Sequence, residues 1–138
     1  MMENVFVDTD IILDLLATRQ PFYPYSAQLF SLADKGKVKL YVSSISFANL
    51  NYLLAKQYSA TQSRKKLQAF KTLVTVLSVS DKIVELALSS DFKDFEDAMQ
   101  YYTAIENRIP KIITRNLKDY KSASISVMTA EQFLKGKS

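Results

Sequence analysis

Five short apolar runs, each handing over to a helical pattern, constrain the fold of this chain more than any other feature. "NVFV" at 4–7 reads as a buried strand that passes through "DTD" into a helix over 11–17. The runs "VKLYVS" (38–43), "VTVLSVS" (74–80), "PKIITRN" (110–116) and "ASISVMT" (123–129) repeat the theme. Helical periods fill 25–35, 44–58, 61–74 and 82–88, then "DFKDFEDAMQYYTAIEN" (91–107) and "AEQFLKG" (130–136). Pro21 and Pro24 break the first of these patterns, and Gly36 stops the segment whose apolar positions are Ala27, Phe30, Leu32 and Ala33. Phe95, Ala98, Met99, Tyr102 and Ile105 form the predicted apolar stripe of the 91–107 helix. Strands alternating with helices imply a parallel sheet covered on both faces. No repeat or linker divides the chain, so residues 1–138 are expected to form a single domain.

The absences narrow the chemistry. Without Cys there is no disulfide, thiolate nucleophile or Cys-ligated zinc, and without His there is no Ser-His-Asp triad. Gly36 and Gly136 are the only glycines, too few for a phosphate-cradling loop. What remains is carboxylates, Lys, Arg, Tyr, Ser and Thr, and carboxylates favour hard cations such as Mg²⁺ or Mn²⁺. The formal charge of +4 suits a polyanionic partner without establishing one. The basic clusters at Lys35/Lys37/Lys39, Arg64/Lys65/Lys66 and Lys135/Lys137 read first as solvated faces. No apolar run is long enough to cross a bilayer, and the acidic, strand-like N-terminus lacks the pattern of a secretory leader. The expectation is a cytoplasmic protein without a membrane partner.

Ligands of open α/β sheets gather beyond the carboxyl ends of the strands. Asp8 and Asp10 follow the first strand, and Thr114, Arg115 and Asn116 follow the fourth. Asp94, Glu96 and Asp97 lie where the helix preceding that strand begins. Each has a plain alternative: Thr9 or Asp10 caps the first helix, Asp94 caps its own, and Asn116 and Asp119 suit a turn. Capping does not require these groups to converge, whereas a divalent cation does. Such a cation would relieve the repulsion among the acids and could activate water for attack on a phosphodiester.

"VFVDTDIILDLL", "DFEDAMQYYTA" and "IITRNLKDY" followed by "ISVMTAEQFL" resemble the PIN-domain family in its bacterial branch, over nearly the whole chain and in the family's order. The resemblance implies a three-layer α/β/α fold around a mainly parallel five-stranded sheet. It also implies Mg²⁺- or Mn²⁺-dependent endoribonuclease activity, often as the toxin of a toxin–antitoxin pair. Asp8 matches the family's first metal-binding aspartate and Asp97 its third acid, the pair expected to be catalytic. Asn116 stands at the fourth, metal-binding position, which is acidic in many members. Asp10, Asp94, Glu96, Thr114 and Asp119 are supporting residues. The departure is at the second acid: a pattern like "SSITIAEL" is usual, and this chain has "SSISFANL", which puts Asn49 in place of a glutamate. An amide oxygen can ligate a cation but brings no charge and cannot act as a base.

Two functions follow. One is a ribonuclease with RNA as substrate, a possible antitoxin as partner, and Lys and Arg residues, Arg115 among them, steering RNA. The other is a catalytically weak or inactive PIN-like module that binds RNA or a protein. Dimerisation through "FANLNYLLAKQY" (47–58) is an expectation that competes with simple core packing of the same segment. A haloacid-dehalogenase-like reading of "DTD" expects a Gly-Thr continuation, where Ile11 and Ile12 stand instead.

Overall fold

A computed structural model describes residues 2–120 and 123–136, which leaves Lys137 of the last basic cluster outside the described residues. Strands β1 (Glu3–Val7), β2 (Val38–Ser43), β3 (Thr75–Leu77), β4 (Lys111–Ile113) and β5 (Ser126–Met128) form one sheet in the order β3-β2-β1-β4-β5. Every neighbouring pair is parallel, so the mainly parallel sheet expected is entirely so. Parallel neighbours cannot be joined by hairpins, and the helical segments supply the crossovers.

The pleat of β1 divides the interior into two cores. Val5 and Val7 join Leu29, Leu50, Phe70 and Phe133 on one face. Phe6, between Tyr41 and Ile112 in the sheet, joins Tyr101, Ala104 and Tyr120 on the other. Helices α1 (Thr9–Leu16), α2 (Tyr23–Asp34), α3 (Ser44–Gln57), α4 (Ala60–Lys71) and α7 (Ala130–Lys135) build the first core. Helix α6 (Phe95–Glu106) covers the second, with α5 (Asp81–Leu88) packed against it. The result is the three-layer α/β/α arrangement. No helix among the described residues is long and apolar enough to cross a membrane.

Local sequence signals fix the helix ends. Ser43, Ser59, Ser80, Asp94 and Thr129 cap α3 to α7 in order, each accepting a hydrogen bond from a first-turn backbone N–H. Gly36, at φ +72°, ends α2 by letting the Lys37 N–H reach the Leu32 carbonyl, a turn that a side chain at that position would strain.

Four expectations are corrected. Asp8, not Thr9 or Asp10, caps α1: its carboxylate accepts from the Thr9 N–H at 2.7 Å. Pro24 lies in the first turn of α2, where its missing N–H costs nothing, so it starts the helix. The strands read at 74–80, 110–116 and 123–129 shrink to three residues each, Thr75–Leu77, Lys111–Ile113 and Ser126–Met128. The flanking Ser80 and Thr129 are taken as caps, and Thr114 to Asn116 turn toward the end of β1. The buried face of α6 also differs from the apolar stripe read in sequence. Asp97, Ala98, Gln100, Tyr101, Thr103 and Ala104 are buried, while Phe95 is 44% exposed. A helix that carries a polar site at one end and is flanked by α5 buries polar residues that a periodicity argument assigns to solvent.

Phe70, 2% exposed, meets Phe30 edge-on at 5.3 Å and Phe47 at 6.0 Å between ring centroids. Phe70→Ala is expected to lower the unfolding free energy by about 3–5 kcal/mol in urea titration, the usual cost of an aromatic-sized core cavity.

Candidate active site

β1 sits centrally; the chain passes from it to β2 on one side and reaches β4 on the other. The carboxyl ends of β1 and β4 therefore flank the point where the connections diverge, the place where open α/β sheets leave a crevice. A cleft of about 380 Å³ opens there, lined by Asp8, Thr9, Asp10, Asn49, Asp94, Glu96, Asp97, Asn116 and Asp119, with Leu13, Tyr52 and Leu53 at its apolar side. Of the residues singled out in sequence, only Thr114 and Arg115 are missing from this lining.

Asp8 is the most firmly held. It is 4% exposed, and one carboxylate oxygen takes the Thr9 N–H while the other accepts from the Thr114 hydroxyl at 2.8 Å and the Tyr120 hydroxyl at 3.1 Å. Thr114, fully buried, thus acts from beneath the cleft. Asp10 accepts from the Arg115 N–H at 3.2 Å and the Asn116 side-chain amide at 3.1 Å. That leaves the Asn116 carbonyl oxygen as its available ligand atom, and the second oxygen of Asp10 is buried without a hydrogen-bond partner among the described residues. A 3₁₀ turn, Leu117–Tyr120, follows; its Asp119 N–H bonds the main-chain carbonyl of Asn116, as a turn reading of those residues requires, and the side-chain oxygen is not used in that bond.

From the opposite layer, Asp94 caps α6 by accepting from the Asp97 N–H at 3.0 Å. Asn49 on α3 donates its amide to Glu96 at 2.7 Å. Beneath them, the Thr9 and Ser46 hydroxyls lie 2.7 Å apart, and the buried Gln100 amide donates to both at 3.0 Å. This knot ties α1, α3 and α6 together under the cleft.

The charges are poorly compensated. Burial, then the charges of Asp8, Asp94 and Asp119, push the Asp97 carboxyl up to about 8. Burial and Asp8 push Asp10 up to about 7, against the pull of Arg115. Burial also raises Asp8 and Glu96. Arg115 does not bring its guanidinium to the cleft: it pairs with the fully buried Asp14 at 2.9 Å and stacks over the Phe22 ring at 4.2 Å. Its side chain lines a separate cavity between α1, α2 and α7.

An all-oxygen donor set beside acids that repel one another fits a hard divalent cation. Among the described residues no three His, Cys, Asp or Glu side chains already close on one point. Mg²⁺ does not need that, since it usually keeps several waters and takes one or two carboxylates.

Sequence reasoning missed Tyr120, Ser46 and Gln100. Tyr120 closes the quoted "IITRNLKDY" stretch, but nothing in it marks the hydroxyl as a partner of Asp8. Ser46 and Gln100 are ordinary polar residues whose partners lie 54 positions apart in the chain.

Fold and cleft together define an α/β/α protein with an acidic site at the switch point of a parallel sheet. The chain belongs to the PIN-domain family, whose profile matches residues 4–118. It is 32% identical to Ribonuclease VapC1 of Aquifex aeolicus over 139 aligned positions, covering 95% of this chain and 93% of that protein. Its fold is similar to VapBC2 of Rickettsia felis, solved bound to a promoter DNA fragment, with TM-score 0.68, 20% identity and coverage of 91% and 96% of the two chains. VapC20 of Mycobacterium tuberculosis, a toxin that cleaves the sarcin-ricin loop, matches with TM-score 0.69, 17% identity and coverage of 88% and 95%.

Two outcomes are expected. Tyr120→Phe removes one of the hydrogen bonds to a buried carboxylate and should lower stability by about 1.5–3 kcal/mol in denaturant titration. Asp10 and Asp97 have folded-state values raised to about 7 and about 8 from 3.8, so the folded protein holds more protons than the unfolded chain between those limits. Their contribution is complete below about pH 4 and is lost as pH rises through about 7–8, so the cation-free melting temperature should fall between about pH 5 and about pH 8. Saturating Mg²⁺ should flatten that fall.

Proposed function

We propose that this chain is a PIN-type, metal-dependent endoribonuclease that hydrolyses RNA phosphodiesters as the toxin of a toxin–antitoxin pair. The observation that carries the reading is the placement of Asp8 and Asp97, from opposite layers, on one cleft at the switch point of the sheet. The likeness to Ribonuclease VapC1 over 95% of the chain supports the reaction class.

Asp8 and Asp97 would hold Mg²⁺ or Mn²⁺, with the Asn116 carbonyl completing the set and Asp10, Asp94 and Asp119 around it. When bound, the cation supplies positive charge for the phosphate and lowers the pKa of water at the site. The protein's own part is orientation. Thr9, Thr114 and Tyr120 lock the Asp8 carboxylate in one rotamer, and Asp10 holds the Asn116 amide so that its oxygen is available. Burial and the neighbouring acids favour the protonated form of Asp97, and a bound cation would favour the carboxylate form that can hold it. The Arg115 charge is engaged with Asp14, which leaves RNA attraction to the exposed lysines, Lys93 and Lys118 being next to cleft residues in the chain. An antitoxin protein is the expected partner, as the structural neighbours include VapBC assemblies. A cytoplasmic homodimer belongs to the same proposal: Leu50 and Leu54 of the 47–58 segment are core, while Tyr52 and Leu53 are 61% and 41% exposed and free to meet a second copy.

The competing reading, a PIN-like module that binds RNA or a protein without cutting, is favoured by the neutral Asn49 and Asn116. Incubating the recombinant protein with RNA and Mn²⁺ separates the two. Cleavage is expected, and Asp8→Asn or Asp97→Asn should lower it by at least about 100-fold, more than the loss of an outer partner to a metal ligand costs. RNA retained but uncut at every Mn²⁺ concentration would establish the binding module instead.

A further inference from the structure

We propose that Glu96 is a cation-binding carboxylate of this site and that Asn49 is the residue that positions it, so that α6 supplies the negative charge that α3 lacks. The inference rests on the metal-site reading above and extends it to two residues.

The geometry carries it. Glu96 lies in the first turn of α6 and lines the cleft, where an unrestrained glutamate would sweep through solvent and lose rotamer freedom on being fixed. It is fixed by an uncharged donor: the Asn49 amide reaches one carboxylate oxygen at 2.7 Å, across 47 positions of sequence. Glu96 lines the same cleft as Asp8 and Asp94, whose nearby charges place that carboxylate in the electrostatic environment of the site. No Lys or Arg among the described residues forms an ion pair with it. A surface carboxylate held for helix capping or stability has no need of a place among other acids. One oriented by an amide, beside two acids and without a basic partner, has its charge balanced when a cation enters.

The arrangement also explains what Asn49 does. An amide can donate to a carboxylate, whereas a carboxylate in its place would repel one. With asparagine on α3, glutamate on α6 can lean across the cleft. The two residues therefore act as a unit, and exchanging them should keep the unit's charge.

The test is Mn²⁺ binding to the whole protein, read by calorimetry and by loss of the free-ion electron paramagnetic resonance signal, with circular dichroism melts confirming folding. Asn49→Ala should weaken Mn²⁺ binding about 10–100-fold, as loss of an outer partner does, and Glu96→Gln at least as much. Combining the two should cost little more than Glu96→Gln alone, because the amide acts only through the carboxylate. The exchange variant N49E/E96Q should recover most of the affinity. Asp97→Asn is the control for the site itself. Wild-type binding in Glu96→Gln together with lost binding in Asp97→Asn overturns the role of Glu96 and leaves the site standing. Fully additive losses for Asn49→Ala and Glu96→Gln overturn the positioning role of Asn49. Wild-type binding in Asp97→Asn overturns the underlying metal-site reading instead.

Discussion

The structure depends on how one carboxylate is held at the junction of two strands. Asp8 ends the central strand, and its backbone N–H still belongs to the sheet, bonding the Ile113 carbonyl at 3.0 Å. Its side chain then caps α1 and gathers Thr114 from the end of β4 and Tyr120 from the turn beyond. A buried charge survives only where hydrogen bonds replace the water it gave up. Here those bonds also dictate where β4 stops and how the chain turns after it. The acid that orients the cleft and the acid that organises the sheet edge are the same group.

The cleft itself is an accumulation of unpaid repulsion. Asp97, Asp10, Asp8 and Glu96 all have raised proton affinities, with burial the leading cause in each case. The obvious counter-ion, Arg115, faces away and neutralises Asp14 under α1. A protein shaped for stability alone would turn that guanidinium toward the acids or replace some of them. Keeping them together in low-dielectric surroundings makes sense where a cation and a phosphate supply what the side chains lack.

Most of this frame is legible in the sequence, for a physical reason. Buried parallel strands must be apolar on both faces, so "VFV", "VKLYV" and "KII" stand out from the amphipathic segments around them. Ser43 and Ser80 cap the helices that follow β2 and β3, and Asp94 caps α6 as its place before the helical pattern leads one to expect. What was not legible depends on tertiary partners. In sequence Thr9 or Asp10 reads as the cap of the first helix, yet Asp8, an extended residue before the first helical turn, meets the requirement. Pro24 reads as a breaker until the helix is seen to begin beside it. Gln100 and Tyr101 lie buried on a helix whose apparent stripe points elsewhere, because the knot with Thr9 and Ser46 takes up the amide N–H groups of one and Ser124 bonds the other's hydroxyl.

Asn49 shows how far a motif can be trusted without its neighbours. As a letter in "SSISFANL" it reads as the loss of a charge, and the site appears weakened by it. In three dimensions the same amide holds Glu96, a carboxylate of the separate "DFEDA" stretch, on the same cleft. A metal site is defined by the charge and oxygen atoms it presents, not by the helix from which each comes. Two helices that face one cleft can exchange an amide for a carboxylate while the field between them changes little. Counting acids along the motif understates the site, and the pair has to be judged together.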